Sequence, residues 1–151
     1  MFKIEPVDQI WLLSSPLPIP INLIAVHCWL VSNDKNGNFE RWEVWQDPNC
    51  CRTSWGYVHL NLFPPEKGII SNLFYSKNYK FGPTKIEGYL KGEMAFLMSE
   101  FLKKEAKNYP YKDDYKYLGP NSNSFIKWVI LNFRGCGLKM PKKAIGGHFI
   151  K

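Results

Sequence analysis

No apolar run in the chain reaches the roughly 18 residues that a membrane-crossing helix requires. The start, Met1-Phe-Lys-Ile-Glu-Pro6, lacks the charged-then-apolar layout of an export signal, and Pro16, Pro18 and Pro20 interrupt the apolar stretch behind it. A cytoplasmic protein is expected unless another signal directs export. Cysteine is scarce: Cys28, Cys50, Cys51 and Cys136 are all there are. None is spaced as C-x-x-C, and the adjacent Cys50-Cys51 pair suits neither a dithiol redox centre nor a zinc knuckle. A zinc site built from His27, His59 and a cysteine finds no support in ligand spacing, so no metal or organic cofactor is expected. There are only three histidines, His27, His59 and His148, so any imidazole chemistry has few candidates. Internal repeats, linkers and low-complexity tracts are missing too, which leaves one domain over residues 1–151.

Apolar residues make up 45% of the 151, enough for a real core. Six Trp, eight Tyr and ten Phe are a heavy aromatic load, and some rings should reach the surface or line a cleft. The formal charge is +7, with lysines clustered at Lys103, Lys104 and Lys107 and again at Lys139, Lys142 and Lys143. That balance suits nucleic acid or an anionic membrane as partner. Such a balance is more often simply a solvated surface, and no nucleic-acid motif accompanies it.

Periodicity supplies the elements. A first short strand is read over residues 9–14. Residues 22–32 follow as a central strand, with Ala25, His27, Trp29 and Val31 on one face and Val26, Cys28 and Leu30 on the other. Asn33 to Asn38 contains Asn-Gly and predicts a hairpin turn. Phe39 to Gln46 returns, alternating Trp42 and Val44 against Arg41, Glu43 and Trp45. Arg41 and Glu43 read as a surface pair of little energetic value. Tyr57 to Phe63 is a third long strand with Tyr57, His59 and Asn61 on one face, and residues 86–90 form a short one. A helix is predicted from Gly92 to Lys107 and a second, apolar nearly all round and therefore buried, from Ser122 to Phe133. Strands followed by helices give an α+β fold, helices on one side of an antiparallel sheet.

The segment Tyr117-Leu-Gly-Pro-Asn-Ser-Asn-Ser-Phe125 carries the chemistry. It places a hydroxyl at a helix N-terminus, where backbone N–H groups lack partners and the helix dipole is positive. Histidines on upstream strands complete a recurring layout for a helix-borne nucleophile. Gly119-Pro-Asn-Ser-Asn-Ser-Phe125, the strand bearing His27, and the tail Pro141-Lys-Lys-Ala-Ile-Gly146 resemble a bacterial family of unknown function marked by Gly-Pro-Asn-Ser-Asn-Thr/Ser-Phe. More distantly, the layout is similar to the circularly permuted NlpC-type papain-like fold, which includes lecithin:retinol acyltransferase-like proteins. That resemblance sets Ser122 at the position of the catalytic Cys, His27 at the strand His and His59 at the third polar residue that orients it.

Serine in place of cysteine changes the requirement. A thiol is shifted easily into thiolate; a hydroxyl needs a general base within hydrogen-bond reach. Three readings of Ser122 follow. It is the nucleophile of a hydrolase or acyltransferase acting on a small-molecule, peptide or lipid amide or ester. Or the site has lost catalysis and binds a ligand, the protein being a binding module for an anionic partner. Or Ser122 and Asn121 simply cap the helix, as Ser and Asn commonly do. Under the first reading, Asn121 and Asn123 supply an oxyanion site with nearby backbone N–H groups, and Tyr117 edges the pocket.

Overall fold

A computed structural model describes residues 2–17, 21–45, 57–70 and 80–149. Cys50, Cys51, Pro18, Pro20 and the loop expected over 47–54 lie outside the described residues. The fold is α+β. Strands β1 (Gln9–Pro16), β2 (Val26–Asn33), β3 (Phe39–Val44), β4 (Val58–Leu60) and β7 (Lys85–Lys91) form an antiparallel sheet in the order β4-β3-β2-β1-β7. A separate two-stranded ribbon joins β5 (Gly68–Ile70) to β6 (Lys80–Gly82). Helices α1 (Glu93–Glu105) and α2 (Ser122–Asn132) follow, with short 3-10 turns at Ile21–Leu23 and Ala106–Asn108. No helix among the described residues is long and apolar enough to cross a membrane.

Alternation along the strands sorts the core into two sides. Ile10, Leu12, Cys28, Leu30, Trp42 and Val44 point to the face covered by both helices, where Met98 and Leu102 of α1 meet Phe125, Ile126 and Val129 of α2. Trp11, Leu13, Trp29 and Val31 point the other way, against Phe2 and Phe39. That second face is not left to water. The loop Asn61–Lys67 crosses β3 and β2, held by hydrogen bonds from Arg41 to the Pro64 and Lys67 carbonyls and from the Trp29 indole to the Pro65 carbonyl. Gly68 then passes so close to Ser15 of β1 that a Cβ there would collide with its side chain.

Two expectations change accordingly. Arg41 and Glu43 are not a surface pair: both are fully buried beneath that loop. The third strand is short, ending at Leu60, because Asn61 adopts a left-handed φ of 56° and turns its side-chain oxygen onto the Arg41 backbone N–H at 2.7 Å. The β2–β3 connection turns as predicted, and Asp34 organises it by accepting from the backbone N–H groups of Asn36 and Asn38.

Candidate active site

The β2–β3 ladder stops at Leu30 opposite Trp42, although β3 goes on to pair with β4 as far as Val44. Below that point the edge of β2 must satisfy its backbone groups elsewhere. The Val26 N–H donates to the Lys143 carbonyl at 3.0 Å. The Asn123 side chain takes the next two: its oxygen accepts from the Cys28 N–H at 3.0 Å, and its amide nitrogen donates to the Val26 carbonyl at 2.9 Å. A single side-chain amide thereby replaces a peptide unit of the missing neighbour. The same nitrogen also donates to the Ile145 carbonyl at 2.9 Å.

This contact brings the start of α2 into the parted sheet, and the local sequence builds that start residue by residue. Asn121 is the N-cap; its side-chain oxygen accepts from the N–H groups of Asn123 and Ser124. Ser124 closes the capping box by accepting from the Asn121 N–H at 3.1 Å, and donates its own proton to the Gly146 carbonyl at 2.7 Å. The Asn121 amide nitrogen donates to the carbonyls of Tyr117 and Ile145. Gly146, at φ 91°, lies against that amide so closely that a Cβ would land on it. Phe125 is fully buried in the core. The cap is therefore made by Asn121 and Ser124, and the Ser122 hydroxyl takes no part in it.

That hydroxyl lies 3.0 Å from Nδ1 of His27. The other ring nitrogen, Nε2, lies 2.8 Å from Oε2 of Glu43. Glu43 is in turn gripped by Arg41, whose Nη2 donates to Oε2 at 2.8 Å and whose Nε sits 2.7 Å from Oε1. The Arg41 guanidinium rests 4.3 Å from the centre of the Trp29 ring. Trp29 stacks beside His27, and Trp45 meets it edge-on. Burial alone would push the Glu43 carboxyl up; the hydrogen bond from His27 and the charge of Arg41 outweigh it and hold the group below its ordinary value.

Proton accounting then fixes the direction of each bond. An ionised carboxylate only accepts, so Nε2 of His27 carries the hydrogen. In the neutral ring Nδ1 is left as the acceptor, and Ser122 donates to it. The Tyr115 side chain lies beside Ser122 as well. Burial above all pushes the Tyr115 hydroxyl well above its ordinary value, so it stays protonated.

The structure thus brings Ser122 and His27 together and sets Glu43, not His59, on Nε2 of His27. His59 stands directly opposite Glu43 across the β3–β4 pair and shares its face, half-buried. The orienting contact expected of His59 belongs to Glu43 because the carboxylate reaches the ring from the strand next to it. Asn121 and Asn123 are beside Ser122, but both side-chain amides are fully engaged in holding the helix start, and the Asn123 N–H is bonded to Asn121. They build the site and have no donor left over for an oxyanion. Tyr117 is exposed, and its carbonyl accepts from the Asn121 amide. Among the described residues no group of three His, Cys, Asp or Glu side chains is placed to hold a metal. In the sequence Glu43 shows only as an acid at alternate spacing with Arg41 and Trp45 on a strand beside the His27 strand, a pattern that by itself signals a watered face.

The chain belongs to the DUF3750 family, described as a protein of unknown function, whose model matches residues 13–149. No curated protein and no solved structure matches the chain.

Proposed function

We propose that the protein is a hydrolase or acyltransferase that opens amide or ester bonds through Ser122, with His27 as general base and Glu43 as the residue that orients it. One observation carries the reading: a serine hydroxyl that its helix does not need for capping lies 3.0 Å from an imidazole whose far nitrogen is 2.8 Å from a buried carboxylate. Structural serines at a helix start spend their hydroxyl on backbone N–H groups. Here Asn121 and Ser124 do that work.

In the proposed reaction the Ser122 oxygen forms a bond to the substrate carbonyl carbon while its proton passes to Nδ1 of His27. Glu43 stays ionised and stabilises the imidazolium. The tetrahedral intermediate then expels the amine or alcohol, which leaves with the proton from Nδ1. Water, or an acceptor hydroxyl or amine, repeats the step on the acyl-serine. The negative oxygen is met by the Ser122 N–H, one of the groups a helix start leaves without an intrahelical partner, and by the Tyr115 hydroxyl. We read the architecture as permuted papain-like, the strand imidazole preceding the helix nucleophile in the chain.

A second reading keeps the fold and discards the chemistry. Ser122 and His27 are only 6% and 4% exposed, and the chain carries a formal charge of +7. A non-catalytic module that binds nucleic acid or an anionic membrane accounts for both. A fluorophosphonate probe separates the two. Intact mass should show one adduct on the wild type and on Ser124→Ala, and none on Ser122→Ala. A folded wild type that takes no label, or a Ser122→Ala variant that still does, removes the catalytic reading.

A further inference from the structure

A hollow of about 330 Å³ opens at the end of the sheet, and Ser122, His27 and Glu43 are not among its lining residues. Its volume is at the small end of the range for small-molecule sites. Val26, Pro16 and Pro141 give it apolar walls, and the first two belong to β2 and β1. Its charges do not balance. Glu87 is spent: Oε1 accepts from the Ser14 hydroxyl at 2.7 Å and Oε2 from the Lys85 ammonium at 2.8 Å. Lys142 and Lys143 also line the hollow and form no ion pair among the described residues. Their backbone is fixed, because the Ala144 N–H donates to the Pro141 carbonyl and the Lys143 carbonyl accepts from Val26.

We infer that this hollow binds a small carboxylic acid with a short apolar body, the body against Val26, Pro16 and Pro141 and the carboxylate between the ammonium groups of Lys142 and Lys143. Two unpaired cations beside an apolar recess favour one negative charge on an otherwise apolar molecule. A neutral analogue gains only the apolar contact, and a cationic one meets repulsion. The lysines are exposed, so the attraction weakens as salt rises. The inference stands whether or not Ser122 reacts.

The test uses the full chain and octanoate, with octanol and octylammonium as matched bodies of other charge, read from backbone amide shifts in NMR titrations. Octanoate should move the amides of Val26, Glu87 and Lys143 saturably. Octanol and octylammonium should bind about tenfold more weakly or not at all. Lys142→Gln with Lys143→Gln, both at exposed positions, should weaken octanoate about tenfold, the fold-change expected for losing roughly 1.4 kcal/mol of charge attraction. Absence of octanoate binding, shifts confined to other parts of the chain, equal affinity for octylammonium, or a double variant that binds like the wild type would each overturn the assignment.

Discussion

Replacing Glu43 with glutamine keeps the shape of the side chain and removes its charge. The structure makes two separable consequences of that one change. Arg41 is fully buried, and Glu43 is the carboxylate that faces it at 2.7 and 2.8 Å. Taking away one partner of such a pair leaves an uncompensated internal charge and costs about 3–5 kcal/mol. For a chain of this length, each kcal/mol lowers the melting midpoint by about 2–4 °C, so Glu43→Gln should melt roughly 6–20 °C below the wild type. The second consequence is chemical. Without the carboxylate, the His27 imidazolium loses its stabilising anion, and the proton on Nε2 is no longer dictated. Fluorophosphonate labelling of Ser122 should slow by about 10²–10⁴-fold in protein that remains folded. Stability and reactivity are then pulled apart by the pair Arg41→Leu with Glu43→Leu. Replacing both buried charges by apolar groups should recover most of the lost stability, yet leave labelling slow. Folded Glu43→Gln that labels at the wild-type rate would refute the orienting role. A double variant that regains labelling would show that Glu43 serves Arg41 and not His27.

Acid should act through the same carboxylate. The Glu43 group titrates lower in the folded chain than its ordinary value, so its stabilising contribution is complete above the ordinary carboxylate range and disappears as pH falls through the lower folded value. Urea unfolding between neutral pH and pH about 3 should show a loss of stability that is shallower in the double-leucine variant; parallel curves would contradict it. Asn123→Ala removes an amide that meets three backbone groups and strands the Cys28 N–H and the Val26 carbonyl in a buried position. It should destabilise the fold by about 2–5 kcal/mol in denaturant melts. A change within half a kcal/mol would mean that water replaces the amide.

The stretch from Asn121 to Phe125 could be read from sequence because capping, a helix-start hydroxyl and an apolar anchor are all short-range. The hairpin at Asp34–Asn38 and the bounds of α2 were legible for the same reason. Arg41 and Glu43 were not. Charged residues at alternate strand positions signal a watered face, and here a non-local loop, Asn61–Lys67, covers that face. The amides of Asn121 and Asn123 could be placed near Ser122, but their duties depend on carbonyls of Ile145 and Val26, remote in sequence. His59 and Glu43 are cross-strand neighbours, so choosing between them as the partner of His27 required knowing the register.

The parting of β2 from β3 has a further consequence. Ser122 begins a helix packed on one side of the sheet, while the ring of His27 belongs to the set of side chains on the other. They meet because the sheet is open at that point, and an asparagine props the opening. If the two strands zipped together by one more pair of residues, the hydroxyl and the imidazole would be sealed into separate compartments. The contact between Ser122 and His27 is therefore a property of where the strand pairing ends.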